Sequence, residues 1–144
     1  MKYVDASALL RVLFAEPGPS VPLRAGEWVV SSRLVEIEAF RAVDRERLLG
    51  GLTDTETAVK RKELIGVLAM MDLVPVDDAV IAGAKASFAV NLRAIDAIHV
   101  ATAELLVELA DEEPLEFWTH DERQAIAALS RGLAVYGVST ADGR

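Results

Sequence analysis

At 144 residues the chain has the length of one domain, 1–144, large enough to bury a core without disulfides or a structural metal. It contains no cysteine and no apolar run of the ~18–20 residues that a membrane helix needs, which excludes thiolate catalysis, cysteine-ligated zinc and a membrane-spanning role. The formal net charge of −8 argues against a basic nucleic-acid-binding face, unless some acids gather round a cation or a basic partner covers them.

Lys2–Asp5 is a short apolar strand that stops at an aspartate, and its early charge does not suit a signal peptide, so a cytoplasmic location is expected. Ala6–Phe14 has helical spacing and ends before the breaker Pro17-Gly18-Pro19. Glu27–Val30 is a second strand candidate. Ser31 and Ser32 then cap a helix over Arg33–Leu49, stopped by Gly50-Gly51. A helix from Thr53 or Asp54 to about Met71, a strand over Leu73–Val76 and a helix from Asp77 or Asp78 to about Phe88 follow. Ala94–Leu109 is strongly helical, Leu115–Thr119 a strand after Pro114, Asp121–Leu129 a helix closed by Gly132, and Leu133–Tyr136 the last strand before a loose tail, 137–144. About five short strands alternating with helices predict an α/β domain, with a mostly parallel sheet covered on both faces. The run Glu104, Glu108, Asp111, Glu112, Glu113, Glu116 holds no basic residue and reads as a solvated helix end and loop.

Sites in such sheets form beyond the carboxyl ends of the strands. Two aspartates fall there, Asp5 after the first strand and Asp121 after the fourth. Each also suits a helix N-cap, which is the simpler reading for either one alone. Asp96 is the lone carboxylate in the apolar stretch 94–98. Burying it costs free energy unless Arg93, the helix N-terminus or a metal compensates. Glu36 and Glu38 lie about 160° apart on their helix, so only one of them faces a given site. Periodicity leaves open which, because that helix is apolar on several sides. Glu38 shares its face with Arg41 and Arg45. Several carboxylates in one cleft suit a hard divalent cation such as Mg²⁺, which activates water and stabilises a leaving oxygen of a phosphodiester. His99 and His120 match no zinc pattern. His99 reads as a packed, satisfied histidine.

Four segments resemble the motifs of the PIN-domain family, and in particular its VapC-type toxins. They are Tyr3-Val4-Asp5-Ala6-Ser7, Ser31-Ser32-Arg33-Leu34-Val35-Glu36-Ile37-Glu38, Asp96-Ala97-Ile98-His99-Val100-Ala101-Thr102-Ala103, and Trp118-Thr119-His120-Asp121-Glu122-Arg123 followed by Gly132-Leu133. Their order and spacing, from residue 2 to about 136, are more specific than any one of them. The resemblance implies a three-layer α/β/α sandwich and Mg²⁺- or Mn²⁺-dependent cleavage of RNA. It implies an acidic site of Asp5, Glu38, Asp96 and Asp121, with Asp5, Asp96 and Asp121 on the metal. It selects Glu38 over Glu36 by distance from the serine pair. Ser7 and Thr119 take the place of supporting hydroxyls, and Arg41 and Arg45 are expected to meet RNA phosphates. A cognate antitoxin and a homodimer are also implied. Leu48, Leu49, Leu52, Leu64 and Leu68 are candidates for the antitoxin contact, although at least half of them are expected in this domain's own core.

Other functions fit less well. A receiver-like signalling domain needs a late lysine, and Lys85 is the last one here. A phosphomonoesterase needs an aspartate two residues after the first, where Ser7 stands. A catalytically inactive PIN-like module that only binds RNA or protein leaves the four acids unexplained. Crowded acids without a metal should repel one another and raise some carboxyl pKa values, so Asp96→Asn is expected to stabilise the metal-free protein by ~1 kcal/mol.

Overall fold

The computed structural model describes residues 1–111 and 113–139. The first half of the chain forms β1 (Lys2–Val4), α1 (Ala6–Leu13), β2 (Val29–Ser32), α2 (Leu34–Leu48) and α3 (Asp54–Leu68). The second half forms β3 (Asp72–Val74), α4 (Asp78–Ala84), α5 (Ala94–Leu109), β4 (Glu116–Trp118), α6 (Glu122–Ser130) and β5 (Ala134–Tyr136). The strands make one fully parallel sheet in the order β3-β2-β1-β4-β5.

The chain steps outward from β1 to β2 and β3, then returns to lay β4 on the other side of β1. Parallel crossovers are right-handed, so reversing the direction of travel moves the later helices to the opposite face. Strand residues alternate accordingly. Val4 and Val29 point into a core with Leu9, Val35, Val43, Leu64 and Leu68 from α1, α2 and α3. Tyr3, Val30 and Phe117 point into a second core with Val100 of α5 and Ala127 and Ala128 of α6. The result is the α/β/α layering that the sequence predicts. A crevice opens between β1 and β4, where the strand order reverses.

Several boundaries differ from expectation, among them α3, which ends at Leu68 and not near Met71, and β3, which spans Asp72–Val74 and not Leu73–Val76. β2 begins at Val29, because Glu27 lies in a turn where Lys2 Nζ (2.7 Å) and the Arg24 N–H (3.0 Å) hold its carboxylate. Ser31 and Ser32 therefore end a buried strand instead of capping α2. The cap position falls to Arg33, whose side chain makes no capping bond, and Ser32 Oγ accepts only a long bond from the Leu34 N–H (3.3 Å). The helix expected to reach Phe88 stops at Ala84. Phe88 packs on the second core under the Arg131 guanidinium (4.4 Å), and Arg131 also donates to the Ser87 carbonyl (3.1 Å), which draws this segment out of a helical path. Of the tail, residues 140–144 lie outside the described residues, as does Glu112 of the acidic run. Among the described residues no helix is long and apolar enough to cross a membrane.

Candidate active site

Asp5, Glu38, Asp96 and Asp121 line one cleft, together with Ala6, Ser7, Arg93, His99 and Gln124. Its volume is about 60 Å³. A water needs about 10–15 Å³ of such space, so the cleft has room for an ion with several waters, whereas a nucleotide would have to lie across its mouth. Each acid sits at the N-terminal end of a different helix. Asp5 and Asp121 are the N-caps of α1 and α6, Asp96 is in the first turn of α5, and Glu38 is in the second turn of α2. The positive ends of α1, α5 and α6 thus offset part of the mutual repulsion of these carboxylates, while Glu38 lies a turn further along its helix.

Asp5 is the most tightly held. Its Oδ1 accepts from the Ala8 N–H (2.8 Å) and from Ser7 Oγ (2.7 Å), and its Oδ2 accepts from Thr119 Oγ1 (2.6 Å). Thr119 Oγ1 in turn accepts from the Asp121 N–H (3.1 Å), and Ser7 Oγ from the His120 N–H (2.8 Å). The two hydroxyls therefore stitch the end of β1 to the end of β4. Burial raises the Asp5 carboxyl above the usual range, despite the bonds from Thr119, Ala8 and Ser7 that favour its charge. Gly137 steadies the same corner. At φ +96° it takes a conformation that suits glycine, and a Cβ there would stand 2.5 Å from the Thr119 carbonyl oxygen. Its own carbonyl accepts from His120 Nδ1 (2.6 Å).

Asp96 is clasped by Arg93 through two bonds, Nε to Oδ2 at 2.8 Å and Nη2 to Oδ1 at 3.2 Å. The Asp96 side chain is 9% exposed and that of Arg93 is 79% exposed. The pair therefore sits at the rim, where the Arg93 guanidinium offsets the Asp96 charge. Glu38 turns inward to His99 Nε2 (2.7 Å), whereas Glu36 turns outward to Arg33 (3.3 Å). Arg41 and Arg45 do not line the cleft. They border a separate groove near the end of α2, with Asp44, Arg47, Leu48 and Leu49. Of the five leucines, Leu64 and Leu68 are buried, Leu52 packs partly on the first core, and Leu48 and Leu49 are exposed.

Sequence reasoning did not single out two residues near the acids. Gln124 is buried in the cleft wall, and its Nε2 has no partner among the described protein groups. Arg123 borders an adjoining groove with Arg93, Asp96 and Asp121. Both lie within three residues of Asp121, so the helix it caps was the signal that pointed to them.

The carboxylate oxygens are hard donors of the kind that hold Mg²⁺ or Mn²⁺. Among the described residues no three His, Asp or Glu side chains are already close enough to grip one ion. Asp96 is engaged by Arg93, and Glu38 by His99. The donor chemistry fits a divalent cation, provided Arg93 yields Asp96.

Known proteins agree with this picture. The chain is 35% identical to ribonuclease VapC46 of Mycobacterium tuberculosis over 141 residues, 95% of this chain and 97% of that protein. It is 34% identical to ribonuclease VapC47 of the same species over 131 residues, 85% of this chain and 86% of that protein. The model of the PIN domain matches residues 2–128, and with the sheet order and the acidic cleft already described, the chain belongs to the PIN-domain family.

Proposed function

We propose that this protein is a divalent-metal-dependent endoribonuclease and the toxin of a toxin–antitoxin pair. The observation that carries the reading is the convergence of Asp5, Glu38, Asp96 and Asp121 on one cleft at the strand-order reversal. The two relatives named as ribonucleases, aligned over most of the chain, support the substrate class. Asp5, Asp96 and Asp121 would hold Mg²⁺ or Mn²⁺, and a bound ion would supply charge neutralisation at the scissile phosphate. The protein's own groups do the rest. Ser7 and Thr119 fix the Asp5 carboxylate. Glu38 stands on the α2 side of the cleft, placed to accept a proton from an attacking water. Arg93 and Arg123 at the rim, and Arg41 and Arg45 in the next groove, draw the RNA backbone toward an otherwise acidic surface.

The partner follows from charge. A chain of net charge −8 suits a basic antitoxin segment at the cleft, and Leu48 and Leu49 offer it an apolar foothold beside Arg45. A homodimer completes the assembly we expect. The test is cleavage of single-stranded RNA by the purified protein with Mg²⁺ or Mn²⁺, stopped by EDTA. Cleavage that survives the chelator excludes the metal mechanism, and no cleavage with any divalent ion leaves the inactive binding module.

A further inference from the structure

A chain of hydrogen bonds runs behind the cleft. The Ser32 N–H donates to the Tyr3 hydroxyl (3.0 Å), the Tyr3 oxygen lies 2.8 Å from His99 Nδ1, and His99 Nε2 lies 2.7 Å from Glu38 Oε2. Tyr3 and His99 are both buried. The Tyr3 ring stacks on Phe117 with centroids 5.2 Å apart and meets the His99 ring edge-on at 5.9 Å, so both rings are packed against aromatic neighbours.

The direction of the bonds follows from what each group can donate. A carboxylate only accepts, so His99 Nε2 carries a proton toward Glu38. The Tyr3 oxygen already receives the Ser32 N–H, and burial keeps the phenol protonated, which leaves its own proton for His99 Nδ1. Glu38 itself is a long side chain with three rotatable bonds. Among the described residues His99 is its one hydrogen-bond partner. A core-filling histidine would need no such alignment with an acid 61 residues away in sequence.

We propose that His99 is a positioning residue which, backed by Tyr3, holds the Glu38 carboxylate in one orientation facing the cleft. The role rests on Glu38 acting there as proposed above. Outer partners that orient a catalytic or metal-binding group are worth about 10–100-fold in activity when removed.

Ring-nitrogen NMR of the full chain reports the hydrogen-bond chain without reference to activity. We expect a proton on His99 Nε2 whose resonance shifts in Glu38→Gln, and a bare Nε2 overturns the proposal. In RNA cleavage with Mg²⁺, His99→Leu should lower kcat about 10–100-fold with KM unchanged. His99→Gln, whose amide nitrogen can still donate, should recover part of that loss. Wild-type kcat in a folded His99→Leu overturns the role, as does a His99→Gln variant that melts normally yet is as impaired as His99→Leu. If His99→Leu does not fold, Tyr3→Phe keeps the stacked ring and decides the matter: a lowered kcat is expected, and an unchanged one overturns the role. Glu38→Gln separates this inference from the site it rests on. Full cleavage by Glu38→Gln removes the site reading and the positioning role together. An inactive Glu38→Gln beside a fully active His99→Leu removes the positioning role alone.

Discussion

Asp5 and Asp96 line the same cleft and are held in opposite ways. Asp5 is buried at the end of the central strand, and each group that binds it is neutral: one backbone N–H and two hydroxyls. Asp96 has a charged partner, and that partner is an exposed arginine one turn away on the chain. Neutral donors from the rigid sheet edge leave the negative charge in place and fix its direction. A guanidinium that is itself 79% exposed cancels the charge and is free to swing into solvent, which leaves the buried Asp96 carboxylate in need of another cation. The cleft therefore combines one permanently mounted carboxylate with one whose counter-charge is exchangeable, an arrangement suited to a site that takes up a cation.

The largest effect that tests this contrast is on cleavage. Asp5→Asn and Asp96→Asn should each lower RNA cleavage by more than about 100-fold, since on the proposed reading each would take a charged oxygen from the ion and not merely a supporting group. Cleavage assays at fixed Mg²⁺ check this. If Asp96→Asn keeps activity while Asp5→Asn loses it, Asp96 serves only to anchor Arg93, and the exchangeable half of the cleft disappears.

The choice between the glutamates comes next. Glu38→Gln should cost about 100-fold or more in kcat, and Glu36→Gln should stay within about two-fold. The structure places Glu38 inward on His99 and Glu36 outward on Arg33. An equal loss in both would mean that the helix, not the inward carboxylate, is what matters.

How far the sequence revealed this site depends on how local each signal was. Asp5 and Asp121 were legible because a strand end and a helix cap are both short-range patterns. Asp96 stood out as a lone charge in an apolar run. The orientation of Glu38 was not legible, because α2 buries Val35, Ala39 and Val43 yet also carries apolar Ile37 and Leu48 in solvent, so no clean stripe marks its inner face. The Tyr3–His99–Glu38 chain joins β1, α5 and α2, and no window of sequence contains it. Ser31 and Ser32 misled for another reason. Serine is a good cap and also a tolerated strand residue, and only pairing with Leu73 and Val74 of β3 decides between the two.

The arginines should show a smaller and more graded effect. Arg93→Gln removes the competitor for Asp96, so Mn²⁺ affinity of the metal-free protein should rise by up to about five-fold, the equivalent of an exposed pair. Arg41→Ala with Arg45→Ala should leave Mn²⁺ affinity alone, weaken RNA binding across sequences and reduce its salt slope by about 0.7 for each phosphate no longer neutralised. Calorimetry with Mn²⁺ and salt titrations of RNA binding separate the two sets. Unchanged Mn²⁺ affinity in Arg93→Gln would make the Arg93–Asp96 pair a bystander. Unchanged RNA binding in the Arg41/Arg45 variant would reduce those arginines to surface charge.

The smallest effect is on the stability of the metal-free protein, and its sign differs between the two aspartates. The folded pKa of Asp5 is raised by burial, so between that value and the unfolded value near 4 the folded state binds more protons than the unfolded one. Stability contributed by this group therefore increases as pH falls through the folded pKa and is lost again as pH rises. Thermal melts of the metal-free protein, stepped down from neutral pH toward the unfolded value near 4, should show that gain in wild type and in Asp96→Asn, and should lack it in Asp5→Asn. Asp96→Asn itself should shift stability by less than ~1 kcal/mol, because the ion pair it breaks has a solvent-exposed arginine and the repulsion it relieves is already offset by that arginine. The ~1 kcal/mol gain expected from the sequence counted the repulsion among the acids, and the Arg93 guanidinium on Asp96 offsets part of that repulsion. A pH-linked gain that vanishes in Asp96→Asn and survives in Asp5→Asn would invert the comparison: the charge in excess would then sit on α5, and Asp5 would be no more than a well-made helix cap.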